Sequence, residues 1–264
     1  MRVGIYQNHP AFGEVRANVE KAVQDLSPVQ ADLIVLPELF NTGYQFVSSK
    51  EIARLAEEIP SGKTCRTMLD LARSAKTVLV FGLAEKEGEC YFNSAAVMGP
   101  DGFIGKYRKT HLFFEEKDYF TAGDTGFPVF DLGPARIGLM ICFDWWFPEA
   151  ARTLALNGSD IICHPANLVL PHCQWAMRTR ALENGVFALT ANRIGTESRH
   201  GKKRLTFTGE SQIVDNAGNI RGRLGKTETG VLLLDIDPSQ ARDKAITKRN
   251  DRFADRRPEF YHVS

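Results

Sequence analysis

A glutamate stands directly after an apolar run that has the composition of a buried strand. Residues 33–36 (LIVL) are followed by Pro37 and then by Glu38. A carboxylate just past the tip of a buried strand is poorly solvated, and poor solvation raises the pKa of a carboxyl group. A carboxylate with a raised pKa is a suitable general base. Glu38 is therefore the first candidate catalytic residue.

A second segment holds three cations within four residues. Lys106, Arg108 and Lys109 precede His111 and the apolar residues 112–114. Short basic runs are usually solvated, and we expect this of Lys106 and Arg108. At Lys109 we expect the chain to turn inward, and a buried ammonium group requires an anionic partner. Lys109 is the second candidate.

A cysteine follows a third apolar run. Residues 137–141 predict a buried strand that leads into Cys142, and Pro148 is a favourable first residue for a helix. Other hydrolases hold their nucleophile at such a strand-to-helix turn, which leaves the next backbone N–H groups free to bind an oxyanion. Cys142 is the candidate nucleophile, and the backbone N–H of Phe143 is the candidate oxyanion donor.

These three residue types complement one another. A thiol is a weak nucleophile until it loses its proton, so it needs a base or a nearby cation. A carboxylate can take the proton, and a lysine can hold the resulting negative charge. The combination of Glu38, Lys109 and Cys142 predicts a hydrolase that works through a covalent thiol intermediate.

The same segments resemble the nitrilase superfamily of carbon–nitrogen hydrolases over essentially the whole chain. The matching residues are 37–40 (PELF), 107–113 (YRKTHLF) and 141–144 (ICFD), with Pro148 and Glu149. Their order and wide separation fit the family's Glu–Lys–Cys triad. The chain is most similar to the small single-domain nitrilases and aliphatic amidases of prokaryotes.

The resemblance implies an α/β fold, a four-layer α-β-β-α sandwich with two mixed central sheets. It also implies subunits that pair through one helix face, giving a homodimer or a higher homo-oligomer. The family has a second glutamate shortly after the lysine. Glu116 is the better match here, and its neighbour Glu115 stays open.

Loops next to the three candidates supply the expected walls of a substrate pocket. A narrow pocket with aromatic walls favours a small substrate over a peptide. The candidate substrate-binding residues are Tyr44, Phe114, Trp145, Trp146 and Asn167.

The sequence therefore predicts hydrolysis of a small amide or nitrile to an acid and ammonia through a Cys142 thioester, with no metal or organic cofactor. The reaction class is better defined than the substrate, and amide hydrolysis is favoured over nitrile hydrolysis. N-carbamoyl amides and ω-amides of dicarboxylates stay open. An arginine that binds a substrate carboxylate would favour the ω-amides, and Arg178, Arg180 and Arg193 are candidates.

Alternating strands and helices must position these residues. Apolar helical spacing predicts helices over 14–26, 51–58, 64–75, 148–158 and 175–184, and turn residues predict hairpins at 86–90 and 216–218. We expect a single domain over residues 1–264 with helices on the sheet faces. The predicted strands are 3–7, 33–36, 78–84, 91–98, 137–141, 161–164, 186–190, 211–215 and 231–235.

Composition narrows the range of partners. Lys plus Arg is 33 and Asp plus Glu is 32 in 264 residues, so the net charge of +1 gives no reason to expect a nucleic-acid partner. The basic run at 199–204 (RHGKKR) is expected to be a solvated loop. The N-terminus has no apolar signal core and no apolar run is long enough to span a membrane, so the expected location is the cytoplasm. Residues 250–264, a charged tail with aromatic residues, are expected in a subunit contact.

Three other readings compete with this one. The scattered Cys65, Cys90, Cys142, Cys163 and Cys173 fit free thiols better than disulfides, and Cys163, His164, His172 and Cys173 do not have zinc spacing. A Cys–His hydrolase with His111 or His164 as base would tolerate loss of Lys109. A non-catalytic binding or scaffold subunit would carry an unactivated thiol.

Overall fold

Two six-stranded sheets form the centre of the molecule. The structure is a computed structural model and describes residues 1–261. The strands of the first sheet are β1 Arg2–Gln7, β2 Leu33–Val35, β3 Val78–Glu87, β4 Cys90–Gly99, β5 Gly102–Arg108 and β14 Gly230–Asp235. Those of the second sheet are β6 Val129–Asp131, β7 Arg136–Leu139, β8 Ile161–Pro165, β9 Phe187–Ala191, β12 Gln212–Val214 and β13 Ile220–Arg223. A small ribbon pairs β10 Thr196–Glu197 with β11 Leu205–Thr206.

Both sheets are mixed. The first has the order β14-β1-β2-β3-β4-β5, in which only β1–β2 and β2–β3 are parallel pairs. The second has the order β13-β12-β9-β8-β7-β6, in which β7–β8 and β8–β9 are the parallel pairs. The parallel strands occupy the middle of each sheet and are buried on both faces, as their continuous apolar sequences predict.

Helices cover the outer face of each sheet. They are α1 Val15–Leu26, α2 Ser49–Leu55, α3 Lys63–Ala75, α4 Pro148–Leu156 and α5 Cys173–Asn184. Helices α1 and α3 share one apolar core with the first sheet, whereas α4 and α5 pack on the second sheet. The inner faces of the two sheets pack on each other, with Val35 and Val80 of the first in the same core as Ile137 and Ile161 of the second. The predicted α-β-β-α order of layers is confirmed.

Strand alternation sends neighbouring residues into different cores. Leu33 and Val35 of β2 face the second sheet, whereas Ile34 faces α1 and α3. Both hairpins predicted from turn residues are present, between β3 and β4 and between β12 and β13. The helix predicted over residues 51–58 ends earlier, because Glu57 bridges to Glu85 at the sheet.

Strands β5 and β6 were not predicted from the sequence. Each is an edge strand of its sheet, as is β13, which was not predicted either. Edge strands can carry polar or exposed residues that hide the apolar pattern. Because β5 was not predicted, its cations Lys106 and Arg108 were expected to be solvated. Arg108 is buried, not solvated, because Glu85 accepts from Arg108 Nη2 at 2.7 Å. Glu85 belongs to β3, which lies on the other side of β4 from β5. Lys106 also pairs with Glu85.

The solvated loop expected at residues 199–204 is partly wrong for a similar reason. Arg199 forms two hydrogen bonds with Glu51, at 2.9 and 2.7 Å, and its guanidinium lies 3.6 Å from the centre of the Phe12 ring. Lys202 donates to Glu115 at 2.8 Å. Distant carboxylates therefore hold half of the basic run against the body of the protein.

The C-terminal tail is partly packed on its own chain. The Phe253 ring contacts the main core, with the Arg152 guanidinium 5.3 Å and the Lys244 ammonium 5.1 Å from its centre. Phe260 and Tyr261 are exposed, and residues 262–264 lie outside the described part. The subunit contact expected of residues 250–264 stays a prediction. Within residues 1–261, no helix is long and apolar enough to cross a membrane.

A glycine allows the first sheet to hold Glu38. A Cβ atom on Gly82 would lie 2.5 Å from the Glu38 Cα and 2.8 Å from the Leu39 backbone nitrogen. The backbone of Gly82 also donates to the Pro37 carbonyl at 3.1 Å and accepts from Phe40 at 3.0 Å. Strand β3 therefore fixes the turn that carries Glu38 by direct backbone contact.

We predict that Gly82→Ala lowers the free energy of unfolding by about 1–3 kcal/mol, because backbone atoms cannot move aside as a flexible side chain can. Denaturant unfolding measures this change. Gly225→Ala is the matched control, since its new methyl group would meet only the side chain of Glu228, at 3.2 Å. Equal stability of the two variants would contradict the prediction.

Candidate active site

Two distant segments, one with Glu38 and the other with Lys109 and Glu116, bring buried charges into direct contact. Lys109 Nζ donates to Glu38 Oε1 at 2.7 Å and to Glu116 Oε1 at 2.8 Å. Glu38 is 0% and Lys109 1% exposed, and Glu116 is also buried. In such a setting charges stay stable only when they are paired, so the ammonium and the two carboxylates depend on one another.

The two oxygens of Glu38 have different surroundings. Oε1 accepts from Asn93 Nδ2 at 2.6 Å and from Lys109 Nζ at 2.7 Å. Oε2 is buried and has no hydrogen-bond partner among the described residues. Burial raises the pKa of the Glu38 carboxyl group, and the opposing effect of Lys109 does not cancel it. One oxygen is thus anchored, and the other is available to accept a proton.

Lys109 is held in its charged form. Burial by itself lowers the pKa of a lysine, but Glu116 and Glu38 outweigh burial and raise the pKa of Lys109 above its usual range. The backbone of Lys109 continues the pairing of β5 with β4, because its N–H donates to the Asn93 carbonyl at 2.8 Å. The ammonium group therefore extends from the end of a paired strand.

Cys142 lies at the predicted turn after β7. It is buried and has a φ of 42°, a left-handed value that costs a non-glycine residue free energy and is often found at functional sites. A 3₁₀ helix, Cys142–Trp146, follows at once, and α4 begins at Pro148. The N–H of Phe143 lies in the first turn of that helix, where helical hydrogen bonds do not use it.

The surroundings of the Cys142 thiol favour its protonated form. Burial raises the pKa of the thiol and the Glu38 carboxylate raises it further, which Lys109 and the Asn167 backbone N–H only partly oppose. A base must therefore remove the proton as the sulfur reacts.

Asp144 joins the segment of Cys142 to that of Lys109. Its carboxylate accepts from Ile141 N at 2.8 Å, from the Tyr107 hydroxyl at 2.7 Å, and from His111 through the backbone at 3.2 Å. The His111 ring Nδ1 lies 2.8 Å from the same carboxylate. Sequence reasoning assigned Asp144 no role, although its place two residues after Cys142 was a usable signal.

Neither candidate histidine base is directed at the Cys142 sulfur. His164 Nε2 lies 2.9 Å from the Cys142 carbonyl and Nδ1 lies 3.2 Å from Thr190 Oγ1, so both ring nitrogens have other partners. Burial lowers the pKa of His164 to about 4. The His111 ring stacks on Phe147 with centroids 3.7 Å apart. Both histidines support the backbone around the site.

Two adjoining cavities open beside the charged cluster. The smaller, about 10 Å³, is lined by Cys142, Phe143, Trp145 and Asn167 among others, and holds roughly one water. The larger, about 150 Å³, is lined by Tyr44, Glu116 and Phe114. Phe113 and Val169 border both cavities.

The expected pocket residues are therefore placed unequally. Tyr44 lines the larger cavity and donates from its hydroxyl to Glu116 Oε1 at 2.6 Å. Phe114 stands at the rim, 72% exposed. Trp146 lines neither of these two cavities; it is 49% exposed and packs on Phe143. The 3₁₀ helix turns Trp145 toward the smaller cavity and its neighbour Trp146 away from it.

Asn167 offers an unused polar group. Both polar atoms of its side chain are buried without a hydrogen-bond partner among the described residues. Unpaired buried amides are uncommon, and one that borders a cavity is suited to bind a ligand.

Other residues found by the sequence analysis have structural contacts. Glu115 pairs with Lys202, and Glu116, not Glu115, contacts Lys109. Arg178 donates to the Gly218 carbonyl at 3.0 Å. Arg180 binds the carbonyl of Trp145 and the side chain of Glu183, and Arg193 is fully buried against Glu197. None of these three arginines lines either cavity beside Cys142.

Within residues 1–261, no group of three His, Cys, Asp or Glu side chains is placed to hold a metal ion.

The comparisons with known proteins agree with this geometry. The carbon-nitrogen hydrolase family model matches residues 2–245. The chain is 47% identical to a nitrilase of Pyrococcus abyssi over 99% of both chains, and 34% identical to an N-carbamoylputrescine amidase of Solanum lycopersicum over 94% of this chain and 88% of that one. A solved amidase of Nesterenkonia sp. AN1, with acrylamide added at its active-site cysteine, is 26% identical with a TM-score of 0.77 and covers 92% of this chain and 96% of its own. The chain therefore belongs to the carbon–nitrogen hydrolase family, the nitrilase superfamily inferred from its motifs, and is an enzyme.

Proposed function

We propose that this enzyme hydrolyses a small amide or nitrile to a carboxylic acid and ammonia through a thioester on Cys142. The observation that carries the proposal is the buried chain of Glu38, Lys109 and Glu116 next to that thiol. The covalent adduct on the active-site cysteine of the Nesterenkonia amidase supports a nucleophilic thiol. The relatives named nitrilase and N-carbamoylputrescine amidase support the reaction class.

In the proposed first half-reaction, the Cys142 sulfur attacks the carbonyl carbon while Glu38 Oε2 accepts the thiol proton. The new C–S bond leaves a negative charge on the substrate oxygen. Lys109 and the backbone N–H of Phe143 stabilise that charge, and one such donor is typically worth about 3–4 kcal/mol. The C–N bond then breaks, and Glu38 returns its proton to the departing ammonia.

In the second half-reaction, Glu38 removes a proton from water as the water oxygen attacks the thioester carbon. The C–S bond breaks, the acid leaves, and the sulfur recovers the proton from Glu38. A nitrile would first give a thioimidate, to which a water must add before ammonia can leave. Glu116 holds Lys109 and lines the cavity where the substrate would lie.

The cavities favour a small substrate whose acyl group carries no ammonium group. The two carboxylates at the larger cavity are already paired, Glu116 with Lys109 and Glu115 with Lys202. An ammonium end on the substrate therefore has no free carboxylate among these residues. Asn167 can bond to a planar amide through both of its unused atoms. Amides are thus preferred to nitriles. N-carbamoyl amides are the alternative, which the N-carbamoylputrescine amidase of Solanum lycopersicum supports.

We predict that the protein releases ammonia from at least one small neutral amide, and that Cys142→Ala abolishes this release while leaving the fold intact. An ammonia assay across small amides, nitriles, ω-amides and N-carbamoyl compounds measures both. Cys163→Ala is the matched control, because Cys163 is also a buried thiol but lies in the core of β8.

Three outcomes would contradict this reading. Turnover that survives in Cys142→Ala would remove the nucleophile assignment. Turnover that survives in Lys109→Met but not in a variant of His111 would favour a Cys–His hydrolase. A Cys142 thiol that reacts with iodoacetamide no faster than a model thiol, in a protein without turnover, would favour a scaffold subunit.

The pH dependence of the reaction tests Glu38 as the base. Glu38 acts in its ionised form, and burial raises its pKa above the ordinary 4.5. We therefore predict that kcat/KM falls as the pH drops through a value above 4.5, while the raised pKa of Lys109 keeps the ammonium charged through the neutral and mildly alkaline range. Steady-state rates between about pH 4 and 9 measure the acid limb.

Asn93→Ala provides the comparison for that profile. It removes the 2.6 Å hydrogen bond that favours the ionised form of Glu38, so the acid limb should move to higher pH. An acid limb at or below 4.5 in the wild type, or an unchanged limb in Asn93→Ala, would argue against Glu38.

We also propose a homodimer through the layer of α4 and α5, as the family resemblance implies. This layer exposes Leu156, Leu182 and Trp175, the last at 72%. Trp175→Glu should shift the mass measured by light scattering from dimer to monomer. Phe103→Glu, on the edge strand β5, is the control and should leave the mass unchanged. A wild-type monomer would refute the proposal.

The cytoplasmic location stays a prediction.

A further inference from the structure

A buried ion pair lies beneath the loop that carries Tyr44. Glu197, in the short strand β10, accepts from the backbone N–H of Tyr44 at 3.1 Å and from that of Gln45 at 2.6 Å. The two residues that it holds lie more than 150 positions earlier in the chain, with separations of 153 and 152. A carboxylate that binds two consecutive N–H groups fixes both the position and the orientation of the loop.

Arg193 supplies the charge that makes this arrangement stable. Its guanidinium pairs with Glu197, and both side chains are buried. It also donates to the Pro10 carbonyl at 3.2 Å and lies 4.0 Å from the centre of the Phe207 ring. A lone carboxylate at this depth would be costly, so Arg193 is the partner that allows Glu197 to act.

The loop is shaped to approach this carboxylate. Gly43 has a φ of +80°, and a Cβ atom there would lie 2.9 Å from Glu197 Oε1 and 3.0 Å from the Phe12 Cα. A side chain at position 43 would therefore push the loop off the carboxylate. The close approach of backbone and carboxylate requires glycine at this point.

Tyr44 carries the effect of this contact into the candidate active site. Its backbone is held by Glu197, and its ring meets Phe207 edge-on with centroids 6.0 Å apart. Its hydroxyl then donates to Glu116 Oε1, the atom that also accepts from Lys109. The chain of contacts runs from Glu197 through Tyr44 and Glu116 to the ammonium group.

We propose that Glu197 is a positioning residue for the hydrolytic reaction, and that it acts through Tyr44 on the Glu116–Lys109 pair. This rests on the proposed function, in which Lys109 stabilises the oxyanion. Glu197 does not line either cavity beside Cys142, so it acts without touching substrate. Small displacements of groups that bind a transition state can cost up to about a hundredfold in rate.

The test is a double-mutant cycle with Glu197→Gln and Tyr44→Phe. Each single variant should lower kcat/KM about tenfold, mainly through kcat, because Lys109 acts on charge that develops in the transition state. If Glu197 acts through the Tyr44 hydroxyl, the double variant should also lose only about tenfold. Losses that multiply to about a hundredfold would overturn the proposal, as would wild-type kinetics in Glu197→Gln.

Glu51→Gln is the matched control. Glu51 also pairs with an arginine, Arg199, and also accepts from a loop N–H, that of Val47 at 3.0 Å. It makes no contact with Tyr44 among its described hydrogen bonds, so its loss should lower the melting temperature without lowering kcat. Equal kinetic losses in Glu51→Gln and Glu197→Gln would mean that both pairs merely support the fold.

Two provisions keep the result readable. If Glu197→Gln does not fold because it strands the Arg193 charge, the variant with Arg193→Met and Glu197→Gln replaces it in the cycle. If the wild type releases no ammonia from any amide or nitrile, the proposed function fails by itself. The alkylation rate of Cys142 by iodoacetamide then completes the cycle: slower, non-additive alkylation supports the positioning role, and unchanged rates refute it.

Discussion

The Lys109 ammonium group lies within 2.8 Å of two carboxylates in a region from which water is excluded. Each member of this cluster would be unstable there alone, since burial of an unpaired charge costs several kcal/mol. Glu38 lies 71 residues before Lys109 in the chain, so the fold must bring their two segments together before the charges can balance. The architecture of both sheets can be understood as a frame that meets this electrostatic constraint.

The constraint also explains how a poorly acidic thiol can be a nucleophile. Burial and the Glu38 carboxylate keep the Cys142 proton in place, so a stored thiolate is not available at rest. Glu38 has one oxygen anchored and the other free, which suits transfer of that proton during attack. Asp144 fixes the distance between the segment of Cys142 and the segment of Lys109, because it binds both the turn at Cys142 and the hydroxyl of Tyr107. In the proposed mechanism, reactivity thus depends on the placement of Glu38 and Cys142 more than on a lowered pKa of the thiol.

The sequence revealed the parts of the site that follow buried strands. Glu38 and Cys142 come after apolar runs that can be read directly, and their strands β2 and β7 are central or near-central in the sheets. The edge strand β5 has no such pattern, and the burial of Arg108 depends on Glu85 of β3, two strands away in the same sheet. A cation in a polar run looks solvated until its partner strand is known. The local sequence pattern thus predicts which residues follow the end of a strand, but not which side chains of other strands contact them.

The same limit applies more strongly to the residues that hold the site from outside. Nothing in the local sequence of Glu197 indicates that its carboxylate binds the loop of Tyr44, because the information lies in the pairing of segments 153 residues apart. Gly43 indicates that another group lies close to the backbone of the Tyr44 loop, but it does not identify that group as Glu197. A catalytic motif is compact in sequence because its residues lie at the end of one strand. The contacts that position its side chains come from many parts of the fold. A hydrolase can therefore be assigned to its class from three segments, whereas the residues that we propose to position its catalytic groups come together only in the folded chain.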